Sequence, residues 1–230
     1  MPDPIALEHL MTILFEQFER LPDHRTGQNS RYSIQDAAKA AFSVFFTQSA
    51  SFLAHQQTMQ QSKGRSNAET LFQMDQIPCD NQIRALLDPI SSGQLFGVFD
   101  QVYQQLAETE MLSEFRVLDE QLLVSLDGTG YFSSKTIQCA NCLQRTSGQG
   151  ETSYYHSAIT PVIVRPGSPQ VICLAPEFMM PQDGHEKQDC ERATAKRWLK
   201  FHAQLFEPHT VTLLGDDLYC ISPNIDEFNL

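Results

Sequence analysis

The sequence has no apolar run near the roughly 20 residues that a membrane-spanning helix requires, and its opening residues lack the order of a secretion signal. A membrane-embedded role is excluded on this reading, and the chain is expected in the cytoplasm. Long proline-rich, glycine-rich or low-complexity tracts are also missing. With 41% hydrophobic and 19% charged residues, that argues against disorder. Cysteines are few: the six (Cys79, Cys139, Cys142, Cys173, Cys190 and Cys220) follow no regular spacing. They suit a reduced compartment better than a disulfide framework, which leaves thiols available to metals. Basic residues are scarce too, with 16 Lys and Arg against 28 Asp and Glu and a net charge of −12. Residues 1–118 and 119–230 share the deficit equally, each with 8 basic against 14 acidic side chains. A protein gripping DNA over a broad surface would be basic, so any DNA contact here is expected to be a local patch.

What is present falls into two textures, residues 1–112 and 113–230. In the first, Leu7, Leu10, Leu14 and Phe18 recur at helical spacing until Leu21-Pro22, which predicts a helix ending near Arg20. Ser33 stands where an N-cap belongs, ahead of an alanine- and phenylalanine-rich helix from Ile34 to about Phe46 that should be buried. Further helices are expected over 51–61, 67–74, 80–87 and 92–106, broken by Lys63-Gly64-Arg65, Ile77-Pro78 and Asp88-Pro89. Such a run of short helices is either a simple bundle with a solvated polar surface or a helix-turn-helix with Asn81, Gln82 and Arg84 facing DNA.

From Gln121 the texture becomes LLVSLDGTGYF, an apolar strand that should end at Asp127 in a Gly-rich turn. Leu122, Val124 and Leu126 alternate with Leu123, Ser125 and Asp127, and apolar residues on both faces predict a central strand. Strands at 154–164 and 171–175 follow, joined by a short turn that suits antiparallel pairing. A helix over about 187–206 carries Arg192, Lys196, Arg197 and Lys200 within mutual reach, a cationic cluster able to hold a DNA backbone. A last strand, 211–217, ends in Asp216 and Asp217. The fold class expected is α/β, a helical region preceding antiparallel strands one to three, a helix and strand four.

Two residue sets can carry chemistry. Asp127 and Asp216 lie 89 positions apart at the ends of the first and fourth strands, and converging carboxylates suit Mg²⁺ or Mn²⁺, hard ions that favour oxygen. Cys139-Ala-Asn-Cys142 and His156 have the residue types of a zinc site, for which His185 or Cys190 is the nearest fourth ligand by type. Glu177, Asp183, Glu186 and Asp189 read best as a solvated acidic loop, and His55 and Trp198 as packing residues.

The stretch Leu123–Tyr219 resembles the catalytic core of DDE-type insertion-sequence transposases, through VSLDGT, YYHSAITPVI, LAPEFMMPQDGHEKQDCERATAKRWL and LLGDDLYC in that order. LPDHRTGQNSRYSIQDAAKAAFSVFF, QSASFLAHQ and IPCDNQIRALLDP resemble the helical region preceding such cores. The resemblance implies an RNase H-like core in which strands one and four are neighbours. It also implies metal-dependent DNA cleavage and strand transfer, with Asp127 and Asp216 as the first two acidic ligands and Asp217 as the reserve. Its partners would be DNA at insertion-sequence ends and, by self-association, a second copy or a full-length transposase. The family's third ligand is a glutamate on a later helix. The chain is expected to stop short of it, with Glu227 a poor substitute, and therefore to bind DNA without cutting it.

Overall fold

The computed structural model describes residues 6–26, 31–74, 76–181 and 190–216. The chain is mixed α/β and separates into two compact units, 1–101 and 102–230. The first holds α1 (Leu7–Glu19), α2 (Ile34–Phe46), α3 (Phe52–Gln60), α4 (Ser62–Thr70), α5 (Asp80–Leu87) and a 3₁₀ turn at Ser92–Leu95, and the divide falls within α6 (Gly97–Glu108). Ser33 accepts from the Asp36 N–H at 2.9 Å while the Asp36 carboxylate accepts from the Ser33 N–H, a reciprocal cap that starts α2 where the sequence places it. Its alanines Ala37 and Ala40 are fully buried, so α1 and α5 pack close against it.

Three sequence expectations fail in this unit, the first being the helix expected over 67–74, which runs instead over Ser62–Thr70. The helix expected over 92–106 is two pieces, the 3₁₀ turn and α6. Lys63-Gly64-Arg65 is no break, because it lies inside α4. A Cβ on Gly64 would stand 2.1 Å from the Thr58 carbonyl oxygen and 2.7 Å from the Met59 Cα. The glycine is there for close approach of α3 and α4, and the break falls at Gln61, which is extended.

The second unit is built on one long antiparallel ladder. β2 (Gln121–Ser125) and β3 (Gly128–Ser134) are successive stretches of one extended segment, as are β5 (Thr152–Ile159) and β6 (Val162–Val164). Ser125 pairs with Val162 and Gly128 with Ile159, the same register on both sides of the gap. The Thr160 N–H donates to the Asp127 carbonyl at 3.1 Å within it. Pro161 has no N–H to give, which interrupts the ladder without ending it. The expected Gly-rich turn after Asp127 is therefore corrected: Asp127-Gly128 is extended chain in mid-ladder.

The remaining strands attach to this pair. β1 (Arg116–Val117) meets the start of β2 on the edge that β6 occupies further along. β7 (Ile172–Cys173) pairs with β6 and β8 (Glu177–Phe178) with β5, with a one-residue slip around Ala175-Pro176. β4 (Leu143–Thr146) pairs with the start of β5. After α7 (Glu191–His202), β9 (Val211–Leu214) lies parallel to β2 on its free edge. The spatial order is β7, β6, β2, β9. The helix expected over 187–206 is shorter, giving way to a 3₁₀ turn at Ala203–Leu205, and residues 187–189 lie outside the described residues.

α7 buries Thr194, Ala195, Trp198 and Leu199, the i, i+1, i+4, i+5 stripe of one helix face. Trp198 is wholly buried among Leu122, Val124, Ile159 and Ile163, and its indole N–H donates to the Ala175 carbonyl at 2.7 Å. It is a packing residue, as the sequence suggested. No helix among the described residues is long and apolar enough to cross a membrane.

His55 is the other, and it sits in a buried polar network. Ser43 Oγ donates to the Ala40 carbonyl at 2.8 Å, so its contact with His55 Nε2, also 2.8 Å, requires the imidazole to donate. His55 Nδ1 then accepts from Ser49 Oγ at 2.9 Å. Burial lowers the His55 pKa below its ordinary value, because no anion compensates the charged form. The unfolded chain therefore takes up this proton at higher pH than the folded one. The stability that neutral His55 supplies is complete above the ordinary histidine pKa and drains away as pH falls below it. Urea unfolding at pH 7 and pH 5 should show a loss at pH 5 that His55→Gln reduces, with a slope of at most about 1.4 kcal/mol per pH unit from this one proton. An unchanged pH profile in that variant would assign the titration elsewhere.

Candidate functional site

Parallel pairing of β9 with β2 decides where the two aspartates lie. The last pair is Ser125 with Leu214, and the Leu126 N–H donates to the Leu214 carbonyl at 2.8 Å. Asp127 and Asp216 each stand two residues further, at the same level of neighbouring strands, and both are exposed. Two acidic residues distant in sequence thus meet the same end of the sheet. Asp217 lies outside the described residues.

A third acidic side chain reaches this end from α7. Glu191, in the first turn, rises over Gly128 so closely that a Cβ there would lie 2.5 Å from Glu191 Oε2. Nothing in the sequence singles out Glu191; its one local signal is the glycine directly after the aspartate, which reads as a turn residue but leaves room for a carboxylate. Among the described residues, no third His, Cys, Asp or Glu groups with Asp127 and Asp216 as a three-ligand set.

Such a set does form further along the ladder, toward the end of β3. Cys139 and Cys142 sit in the excursion between β3 and β4, and His156 lies on β5. The two sulfurs are 3.7 Å apart, and His156 Nε2 is 3.3 Å from one and 3.4 Å from the other. The Cys142 N–H donates to the Cys139 carbonyl at 3.2 Å, which closes the turn and puts both sulfurs on one side. Tyr131 stacks on the His156 ring at 5.7 Å and 12°, and Phe132 tilts against it at 5.6 Å. Burial first, then the two neighbouring thiols, push the Tyr131 phenol above its ordinary pKa. This triad can hold a metal ion. Cys190, offered by type as a fourth ligand, is exposed at the start of α7 and does not join the triad; His185 lies outside the described residues.

The basic cluster divides. Arg197 turns to the sheet, where its Nε donates to Glu177 Oε1 at 2.5 Å and its Nη2 to the Phe178 carbonyl at 2.9 Å. Glu177 is accordingly no member of a solvated loop: it belongs to β8 and is mostly covered, while Asp183, Glu186 and Asp189 lie outside the described residues. Lys196 and Lys200 are exposed and Arg192 partly so. In the helical unit, Asn81, Gln82 and Arg84 all lie on the exposed side of α5. That unit also has a cleft of about 410 Å³ walled by residues such as Phe18, Phe42, Ile90 and Phe99. None of the described residues that line it is titratable, so they supply no acid, base or metal ligand.

No family model matches the chain, and no match to it was found among curated proteins or solved structures.

The division of the basic cluster is measurable. Arg197→Ala strands the part-buried Glu177 carboxylate and should cost about 2 kcal/mol in urea unfolding, below the usual penalty for a fully buried pair because both partners touch solvent. Lys200→Ala, at an exposed position, should stay within about 0.5 kcal/mol of the parent. Equal effects at Arg197 and Lys200 would mean that the Glu177 pair does not anchor α7.

Proposed function

We propose that the second unit is the metal-binding, DNA-processing core of an insertion-sequence transposase, with an RNase H-like strand arrangement and with Asp127 and Asp216 as its paired aspartates. The observation that carries the reading is the parallel register of β2 and β9, which brings both aspartates level at one end of the sheet. The order β7, β6, β2, β9, with a helix leading into the parallel strand, agrees with what the resemblance implies. The carboxylates supply oxygen ligands of the kind Mg²⁺ and Mn²⁺ favour. Ions held there would activate the attacking oxygen and stabilise the leaving one.

The chain's own residues then have distinct tasks. Asp127 and Asp216 hold the cation, and Gly128 leaves space for Glu191 beside them. Arg192, Lys196 and Lys200 are assigned to the DNA backbone as a local cationic patch in an acidic chain, with Arg197 kept for structure. Asn81, Gln82 and Arg84 are the residues of the helical unit assigned to base edges. The partner is DNA at insertion-sequence ends, met in the cytoplasm, with self-association or pairing with a full-length relative as the protein contact. Two aspartates alone would leave charge on the attacking and leaving oxygens incompletely neutralised, and the resemblance expects the third ligand to be a glutamate on a later helix. We therefore assign this polypeptide to DNA binding without cleavage.

The sulfur and nitrogen triad favours a second reading, a zinc-binding module. The two are compatible, because thiolate and imidazole suit zinc and carboxylates suit magnesium.

The DNA flanking the coding sequence should carry terminal inverted repeats, and the protein should retard oligonucleotides bearing them at concentrations about tenfold lower than scrambled ones, a preference of about 1.4 kcal/mol. Mn²⁺ titration followed by electron paramagnetic resonance should give a site that Asp127→Ala and Asp216→Ala each weaken about tenfold or more. Equal affinity for both DNAs together with unchanged Mn²⁺ binding in both variants would overturn the reading. Cleavage of the repeats that Asp127→Ala abolishes would keep the core assignment and refute the inactivity.

A further inference from the structure

The geometry points to a zinc ion held by Cys139, Cys142 and His156, whose task is to fasten the excursion between β3 and β4 onto β5. For tetrahedral zinc with the usual bond lengths, two sulfurs should lie about 3.8 Å apart and a sulfur and a nitrogen about 3.6 Å apart. The separations of 3.7, 3.3 and 3.4 Å come within about 0.3 Å of those edges. Zinc is chosen over harder ions because two thiolates and one imidazole are the ligands it prefers, and no described carboxylate joins them. A disulfide is the rival use of the same pair, but the two sulfurs stand 3.7 Å apart and gather with the His156 nitrogen to one point.

The surroundings explain why a metal is useful there. β3 is mostly exposed along its length, and β4 buries only Leu143. Residues 135–141 are exposed, so this end of the sheet has little apolar surface to hold the excursion in place. Cys142, by contrast, is buried, and it precedes the one buried residue of β4. Tying Cys139 and Cys142 to His156 fixes both ends of a turn to the middle strand of the three. Metal ligation also fixes the His156 ring, on which Tyr131 stacks. The register shift between Gly130 and Phe132 leaves Tyr131 as the extra residue of a bulge, a device that re-aims a side chain.

This inference stands apart from the DNA-processing reading, and its test is chosen to keep them separate. The full chain is purified under reducing conditions without chelator, and zinc is measured by elemental analysis. One ion per chain is expected in the parent and in Asp127→Ala, and about a tenth of that or less in Cys142→Ser and in His156→Ala. Replacement by Co²⁺ in the parent should give sulfur-to-metal charge-transfer absorption, which reads the ligand set directly even if a variant fails to fold. Cys139→Ser, at an exposed position, provides the milder variant and should lose the same absorption. Removing the metal should expose Lys135 and Arg145, which flank the excursion, to trypsin. A parent without stoichiometric zinc, full zinc in a Cys139→Ser, Cys142→Ser double variant, or trypsin cleavage indifferent to chelation would each overturn the proposal.

Discussion

The ladder that joins residues 123–134 to residues 154–164 is the constraint from which the second unit follows. Its register holds through the gap at Asp127 and Thr160, although Pro161 cannot donate there. A one-residue slip in it would turn Leu122, Val124 and Leu126 away from Trp198 and present Leu123, Ser125 and Asp127 to the core instead. Trp198 would then lose the part of its apolar surroundings that Leu122, Val124 and Leu126 supply. The free edge of β2 receives β9, and the opposite edge of the pair receives β7 and β8, so the entire strand order depends on these two segments.

Much of this was legible in the sequence, because burial and periodicity speak locally. The start of α2 could be placed from Ser33 and the apolar segment after it, since an N-cap is a local signal, and the structure adds Asp36 as the reciprocal partner. The three extended segments and the helix before β9 follow from apolar runs and their punctuation. The Cys139, Cys142 and His156 grouping was legible in type and spacing, although His156 reaches the pair only through strand pairing.

The misreadings share a physical cause: glycine and charge each have more than one use. Gly128 and Gly64 looked like breaks, yet each leaves room for a neighbour that sequence cannot locate, Glu191 in one case and the backbone of α3 in the other. Arg197 looked equivalent to Arg192, Lys196 and Lys200, because a helical pattern lists which cations are close and not which way each turns. Glu177 is 20 residues earlier and on another element, and only the fold pairs it with Arg197. The same limit explains Cys190, whose residue type suited zinc but whose position at the start of α7 is away from the triad.

The two candidate metal positions lie along the same pair of strands and divide by ligand hardness. On the proposed readings, oxygen ligands at Asp127 and sulfur with nitrogen at His156 would select different cations without either site needing high selectivity alone. The acidic balance of the chain bears on the first of them. A phosphate backbone approaching Asp127 and Asp216 meets like charge, and the cations of α7 are too few to cancel it throughout a net charge of −12. On the proposed reading, a divalent ion held by the aspartates reverses the local sign and removes that repulsion. By linkage, the phosphate must then strengthen binding of the ion by the same factor. On that reading, a site too weak to keep its cation in isolation would fill when DNA arrives, so that the ion and the DNA are held together or not at all.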